Sequence, residues 1–582
     1  METDKELFYS ELINSILEHE NLPKHKLNVL KNDLSKKYNM NRIVKNTQIL
    51  AYAENDEIRY ELIKRLDIKP IRELSGVTVL ALFAKPHKCP HGKCIYCPGG
   101  VDSEFGNTPQ SYTGLEPAAL RAVRNDYDPY LQVFNRLEHY VANGHVPDKL
   151  ELIFMGGTFP SLNKQYRDEF VYYVYKAIND FAQMFIFIDS SMKKRVDYEK
   201  FNEFFEMKQD INSSNRETSL KAKMLDLKYL NVKEDFLDYK SEIKKNETGL
   251  IRSIGLTIES KPEWALADNA YEMLKYGATR FEIGVQTLND DILRKINRGH
   301  TSYDIKRCFL ELKDMCFKIN AHMMLNLPYS SEKDDIDSMR ELFENEAFRP
   351  DMLKIYPCLV IKGTLLFDMY KRGEFVPLDT FKMAELISKI VPFFPDYVRV
   401  MRIQRDVPTP VIEAGVKNSN LRNYVDELLI KKNIKSNDIR AREVGFALLS
   451  GKSIKDDFVI KTLKYKSSGG DEFFISVVNS DNLIIGFLRL RFPFKIGLMS
   501  HIDDKTAMIR ELHVYGNTVC VGNESQSFQH KGWGKKLLQY AENICTDNGY
   551  EKIIVISGVG VREYYKKNGY FFDEPYMVKN LK

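Results

Sequence analysis

The sequence predicts an α/β protein: a partial (βα)6 barrel, preceded by a helical segment and followed by a second, smaller α/β domain. Three observations carry this. Between residues 76 and 360, short apolar runs alternate with longer amphipathic stretches, the rhythm of βα units around a parallel sheet. After about residue 446 the texture changes to long β runs such as Glu472-Phe-Phe-Ile-Ser-Val-Val478. Before residue 75, leucine and isoleucine recur at helical spacing among many Lys and Glu.

In order along the chain, the first element is the segment 1–75. Between Lys24 and Lys45 it holds seven basic residues (Lys24, Lys26, Lys31, Lys36, Lys37, Arg42, Lys45) against one acid, Asp33. Such a cluster marks a phosphate-binding face, although a solvated helix face carries the same pattern. The barrel strands are expected at 77–83, 150–155, 254–258, 280–284, 319–324 and 352–355. Six strands fall short of the eight of a closed barrel, so the sheet stays open. The barrel domain spans 76–380 and contains a Lys/Glu/Asn-rich insertion at 190–250. Residues 381–445 connect it to the last domain, 446–582, which has a helix from about Gly532 and a strand at 552–556.

Composition narrows the function classes. Hydrophobic residues at 43% and charged residues at 29% describe an ordinary globular chain, and a net charge of +4 says little by itself. No apolar run approaches the roughly 20 residues of a membrane span, and the acidic start lacks a secretory pattern. A cytoplasmic protein without a membrane partner is expected.

Three of the eight cysteines crowd into Cys89-Pro-His-Gly-Lys-Cys94-Ile-Tyr-Cys97-Pro-Gly-Gly100, just after the first strand. A tight cluster reads as a metal site rather than as disulfides. Three thiolates on a [4Fe–4S] cluster leave one iron open to chelate S-adenosylmethionine (SAM). Structural zinc, with His87 or His91 as fourth ligand, is the alternative. The aromatic before the last cysteine, the glycines after it and its place behind the first strand suit a radical SAM loop. The spacing of four then two residues departs from the usual three then two.

Supporting residues fall at later strand ends. Gly156, Gly157 and Thr158 close the second strand, where glycines let a ligand approach the backbone. Glu259 ends the third and Gln286 follows the fourth. In the last domain, Gln529-His-Lys-Gly532-Trp533-Gly534 resembles the Q-x-x-G-x-G/A turn of GNAT acetyltransferases, where amides at a helix N-terminus hold the CoA pyrophosphate. Upstream, Glu511-Leu512-His513-Val514 reads as the strand that pairs with pantetheine. Downstream, Tyr564 and Tyr565 offer phenols to the CoA thiolate or the thioester.

Together these runs identify the chain as resembling the catalytic subunit of Elongator in its stand-alone archaeal and bacterial form. Further matches are Gln110-Ser-Tyr-Thr-Gly114, Tyr127-Asp-Pro129, Glu282-Ile-Gly-Val-Gln286, Arg402-Ile-Gln-Arg-Asp406, Arg442-Glu-Val-Gly445 and Ser557-Gly-Val-Gly560. The resemblance implies formation of 5-carboxymethyluridine at the tRNA wobble position from acetyl-CoA and SAM. By carry-over Cys89, Cys94 and Cys97 hold the cluster. Lys149, residues 511–514, Gly532 to Gly534 and Tyr564 contact acetyl-CoA. Tyr564, Tyr565 and His513 are the catalytic candidates, and the basic N-terminal segment becomes a tRNA element. The implied partners are a tRNA anticodon stem-loop, an external electron donor and, for a homodimer, a second copy of the chain. Two competing functions remain: a protein-lysine acetyltransferase with a structural iron–sulfur domain, and an RNA-binding scaffold with a zinc knuckle.

Three departures from the family pattern stand out. The segment 436–442 has no cysteine where relatives often carry a Cys-x-Cys-x-x-Cys group, so no linker zinc is expected. Relatives usually have Pro-Gly-Leu-Pro-Gly where this chain reads Leu325-Asn-Leu-Pro-Tyr329. Glu259-Ser-Lys-Pro262 stands for Glu-Thr-Arg-Pro, and lysine lacks the guanidinium fork.

Overall fold

Apolar runs joined by helical crossovers pair in parallel, because each right-handed crossover returns the chain beside the strand it left. The strands are β1 (Thr78–Phe83), β2 (Lys149–Met155), β3 (Arg252–Ser260), β4 (Ala278–Gln286), β5 (Lys318–Leu325), β6 (Met352–Pro357) and β7 (Arg399–Ile403). They form one sheet in chain order, parallel throughout, from Thr78↔Leu150 at one edge to Met352↔Arg399 at the other. The computed structural model describes residues 2–19, 22–40, 44–66, 76–209, 213–230, 232, 237–515 and 532–581; Arg42 and Gln529 lie outside them.

All six expected strands are present, and β7 is a seventh drawn from the stretch expected only to connect. Its run, Arg-Val-Met-Arg-Ile, carries two arginines among its five residues, which hides it among apolar strand signals though charge suits an edge. The Arg399 guanidinium is neutralised by Glu443 at 2.6 Å, a partner far away in sequence.

The sheet has two unlike faces. On β2, Leu150, Leu152 and Phe154 are buried against the helical layer, where Phe154 meets Phe170 edge-on at 5.1 Å. Lys149, Glu151, Ile153 and Met155 alternate onto the other, inner face. The insertion packs into the helical layer: its helices Tyr198–Phe204, Ser214–Tyr229 and Tyr239–Asn246 bury Phe201, Leu220, Met224 and Ile243. Asn179 donates to the Glu242 carbonyl (3.0 Å) and carboxylate (2.8 Å).

Helices α1 (Glu2–Leu17), α2 (Lys24–Lys37), α3 (Asn46–Ala51) and α4 (Asp56–Arg65) close around Phe8, Leu12, Ile16, Leu27, Leu34 and Leu62. They meet the insertion where Asn202 donates to the Ala51 carbonyl at 3.2 Å. No helix among the described residues is long and apolar enough to cross a membrane.

The last domain has its own sheet: β8 (Val459–Ser467), β9 (Gly470–Val478), β10 (Ile484–Phe492), β11 (Thr506–Val514), β12 (Lys552–Val555), β13 (Phe571–Asp573) and β14 (Tyr576–Asn580). The order is β8-β9-β10-β11-β12-β14-β13, antiparallel except between β11 and β12. It packs on the N-terminal ends of the barrel strands. A side chain on Gly558 would strike the Ile254 carbonyl, its Cβ 1.9 Å from that oxygen, so only glycine allows this approach.

Candidate active site

The cysteine loop follows β1 and folds back under the segment that begins with Gln110. Cys94 and Cys97 are buried and Cys89 is partly exposed. The Ser111 amide donates to Cys97 Sγ at 3.2 Å, and the Cys97 thiol donates to Gln110 Oε1 at 3.2 Å. The Arg298 guanidinium reaches Cys94 Sγ at 3.6 Å. Burial and the two neighbouring cysteines push the Cys89 thiol up to about 12, with Arg298 and Lys261 opposing. Three thiols crowded this way become thiolates readily only beside added positive charge, which a bound metal centre brings. The donor set therefore fits a cluster held by three cysteines. Of the two candidate zinc ligands, His87 is engaged by Ser161 Oγ (3.2 Å) and the Lys85 carbonyl (3.3 Å). His91 lies with Nε2 3.3 Å from Cys94 Sγ.

Behind the loop the inner face of the sheet is polar. Glu259 and Glu282 are register partners on β3 and β4. Glu282 accepts from His322 (3.0 Å), Asn320 (3.1 Å) and Lys354. Burial pushes its carboxyl up, but Lys354 and His322 outweigh this and hold it well below the usual carboxylate range. Glu259 accepts from the Tyr112 hydroxyl at 2.9 and 3.1 Å and faces the Gly156 amide. Burial and the Glu282 charge raise it to about 7. Burial and Lys354 lower the His322 pKa, which keeps that ring neutral.

Gly157 faces Gln110, so the Gly-Gly turn closes onto the cysteine segment. Thr158 Oγ1, Gln286 Oε1, Asn320 Oδ1 and the Tyr96 hydroxyl are buried without hydrogen-bond partners among the described residues. Buried polar atoms are seldom left so, and a polar ligand at these strand ends would satisfy them. Gln286 also holds φ +72, which turns its amide back over Gly284.

A second site lies in the last domain. The β11–β12 ladder ends at Ile509↔Val555, while β11 runs on to Val514. Among the described residues, 511–514 pair only with β10, leaving backbone donors and acceptors along a splayed edge. Helix α5 (Trp533–Asp547) starts beside it from Gly532 at φ +74. A Cβ on Gly534 would sit 2.5 Å from the Tyr564 hydroxyl, so the glycine admits that phenol to the edge. The Trp533 Nε1 is buried without a partner among the described residues.

The candidate side chains divide. Tyr564 is 37% exposed, whereas Tyr565 is 5% exposed and packs edge-on against Tyr564 and Tyr570. His513 lies on Phe487, and burial lowers its pKa, leaving a neutral imidazole. The Glu511 carboxylate accepts from Arg489 at 2.8 Å, so its backbone rather than its side chain serves the edge. Lys149 is half-buried in register with Arg252. Arg252 donates to the Gly560 carbonyl at 3.5 Å, so Lys149 stands where the barrel meets the turn before Tyr564.

On the N-terminal segment, Lys24, Lys26, Lys36 and Lys45 are exposed. Lys37 is exposed but paired with Glu11 at 2.7 Å. Lys31, expected on the same basic face, is instead buried and donates to Asn46, because its position faces the helix contact with α3. Gln110, Ser111, Arg298 and Lys354 reach the site without having been singled out. Gln110 and Ser111 belong to a motif with no chemistry of its own, and no spacing signals Arg298 or Lys354.

Family models match four stretches: the ELP3 N-terminal domain at 5–74, the Radical SAM superfamily at 229–342, the Radical SAM C-terminal domain at 350–431 and the Acetyltransferase (GNAT) family at 448–570. The radical SAM match begins beyond the cysteine loop, so Cys89, Cys94 and Cys97 stand on spacing and geometry. The "tRNA uridine(34) acetyltransferase" of Methanocaldococcus jannaschii is 41% identical over 542 residues, 92% of this chain and 90% of that protein. "Elongator complex protein 3" of Homo sapiens is 37% identical over 585 residues, 99% and 97% of the two chains. The solved structure of the archaeal Methanocaldococcus infernus Elp3, with an N-terminal deletion, superposes with a TM-score of 0.69 at 34% identity, covering 87% of this chain and 99% of that one. With the likeness running through barrel and acetyltransferase domain alike, this chain belongs to the family of tRNA uridine(34) acetyltransferases and Elongator complex protein 3.

Proposed function

We propose that the protein modifies the wobble uridine of tRNA, forming 5-carboxymethyluridine from acetyl-CoA in a SAM-dependent radical reaction. The observation that carries this reading is the joining of a three-cysteine loop and a splayed acetyltransferase edge within one chain. The names of its relatives supply the tRNA uridine.

Cys89, Cys94 and Cys97 would hold a [4Fe–4S] cluster, while Arg298 and the Ser111 amide stabilise thiolate charge. When bound, the cluster and SAM supply a hydrogen-abstracting radical, with the electron coming from an external donor. Gly156, Gly157, Thr158, Glu259 and Gln286 would orient SAM. Residues 511–514 would pair with pantetheine, and the amides from Gly532 to Gly534 would take the pyrophosphate. Lys149 would approach the acyl end from the barrel side. The Tyr564 phenol would protonate a departing thiolate, and the neutral His513 ring would take a proton from the water that opens the thioester. Tyr565 supports Tyr564 by packing. Lys24, Lys26, Lys36 and Lys45, with Arg42, would meet phosphates of the anticodon stem-loop.

The test is anaerobic reconstitution with iron and sulfide, then incubation with SAM, dithionite, acetyl-CoA and tRNA, with digested nucleosides read by mass spectrometry. Carboxymethyluridine that requires every component, and vanishes in Cys94→Ala, is the expected result. If SAM is cleaved but uridine stays unmodified, the substrate assignment fails. Copurifying zinc with SAM untouched would return the Cys94–His91 pair to a structural knuckle.

A further inference from the structure

Leu325 ends β5, and the chain then makes a tight turn over residues 327–330, closed by the Ser330 amide donating to the Leu327 carbonyl at 3.0 Å. Pro328 holds the second position and Tyr329 the third, at φ +68. A turn with proline second and positive φ third has the signature of type II, which favours glycine at the third place. A bulky aromatic residue is a backbone outlier there. The turn is held on both sides: the Asn326 amide and the Ser330 hydroxyl each donate to Asp335 at 2.7 Å, and Asn326 Oδ1 accepts from the Leu378 amide at 2.8 Å.

Held strain of this kind concentrates at functional sites. Nothing in the fold needs the ring, since Tyr329 is 55% exposed. Its location is informative. Leu327, two residues before it, packs in one apolar cluster with Cys94, Cys97 and Ile296. The Ile296 carbonyl accepts from the Ile95 amide of the cysteine loop at 3.2 Å. Lys295, the residue before Ile296, places its ammonium 5.3 Å from the Tyr329 ring centroid. The structure therefore displays an exposed aromatic face, with a cation beside it, two residues beyond the apolar cluster that holds the cysteine loop.

We propose that Tyr329 is a stacking platform for an unpaired nucleobase of the RNA substrate, with Lys295 beside it for the adjoining phosphate. This rests on the reading of the protein as a tRNA-modifying enzyme and adds a contact that selects and steadies the RNA at the radical site. An aromatic face binds any base by stacking, and a neighbouring ammonium adds charge attraction to the backbone. The adenine of SAM is the competing occupant, and the exposure of Tyr329 favours RNA over a small cofactor that would bury it.

The experiment measures binding of a fluorescent anticodon stem-loop RNA and of SAM to reconstituted full-length protein, as wild type, Tyr329→Gly and Tyr329→Phe. Tyr329→Gly should weaken RNA binding roughly tenfold and leave SAM affinity unchanged, while Tyr329→Phe stays close to wild type. Because glycine fits the turn, the Gly variant should melt at or above the wild-type temperature. Loss of RNA affinity without loss of stability separates a platform from a structural residue. Unchanged RNA affinity in Tyr329→Gly overturns the proposal, as does a loss confined to SAM. If the wild type binds no stem-loop at all, the tRNA reading itself fails along with it.

Discussion

Two carboxylates set side by side on β3 and β4 are pushed in opposite directions by their surroundings. Glu282 has Lys354 and His322 to hold its charge, while Glu259 has a phenol and a like charge. A carboxyl moved by burial and that neighbour from 4.5 to about 7 loses on the order of 3 kcal/mol of folding stability. The sign follows from the unfolded chain ionising first: the contribution is intact below pH 4.5 and is lost as pH rises to about 7. Glu259→Gln keeps an oxygen for Tyr112 but cannot ionise. In protein free of cluster and SAM, its melting temperature should therefore fall less than that of wild type between about pH 5 and pH 8. Parallel profiles for the two proteins would mean that Glu259 is ionised throughout. Residues such as Glu259, Gly156 and the three cysteines were legible in the sequence because each lies at a strand end, in a short run with its own chemistry. Arg298 and Lys354 were not, since only folding brings Arg298 to Cys94 and Lys354 to Glu282. Lys31 misled because a charge count does not register which side of a helix meets its neighbour.

At the scale of elements, the barrel was readable from its alternation of strand and helix, and the seventh strand was hidden by two arginines, of which Arg399 finds its carboxylate only in the remote Glu443. The insertion shows the same limit. Its Lys/Glu/Asn-rich composition marks it only as an insertion, yet its last residues contact the acetyltransferase domain. Glu247, just beyond the helix Tyr239–Asn246, is 2% exposed and accepts from Arg562 at 2.7 Å. Arg562 begins the short helix Arg562–Lys566 that carries Tyr564. Its guanidinium also covers the Phe572 ring at 4.0 Å. Glu247→Ala leaves that guanidinium buried without its carboxylate, which costs about 3 kcal/mol when a buried pair is broken from one side. The helix should shift to hydrate Arg562 and carry Tyr564 with it. Titration calorimetry should show acetyl-CoA binding weakened by roughly tenfold, about 1.4 kcal/mol, with stem-loop affinity unchanged. Wild-type affinity for acetyl-CoA in this variant would show that Tyr564 is positioned from within its own domain.

Across the whole molecule, the two domains are joined by charges that neither could bury alone. Asp351, at the N-terminal end of β6, accepts from Arg510 at 2.8 Å, from the Ile319 amide at 2.9 Å, and lies 3.6 Å from Arg489. Arg510 is the extra residue of a bulge in β11, which turns its side chain across the seam. Glu472 accepts from Arg510 at 3.1 Å and Arg491 at 3.0 Å, and Arg491 reaches Asp314 of the barrel domain at 2.7 Å. All five of these side chains, Asp314, Asp351, Glu472, Arg491 and Arg510, are fully buried. Burial raises the Asp351 carboxyl, but Arg510 and Arg489 outweigh it and hold the group ionised. Such a network is stable only when complete, so separating the domains would strand charge on both sides. Barrel and acetyltransferase domain should therefore unfold as one unit. The protein offers its own probes, since its two tryptophans, Trp264 and Trp533, lie one in each domain. With Trp264→Phe and Trp533→Phe each leaving one reporter, urea unfolding should give the same midpoint from either side. Asp351→Asn keeps the shape but removes the charge facing Arg510. It should destabilise both reporters together by about 3–5 kcal/mol. Midpoints that separate already in the parent protein would mean that the seam does not couple the domains. A shift confined to Trp533 would place the role of Asp351 in the last domain alone.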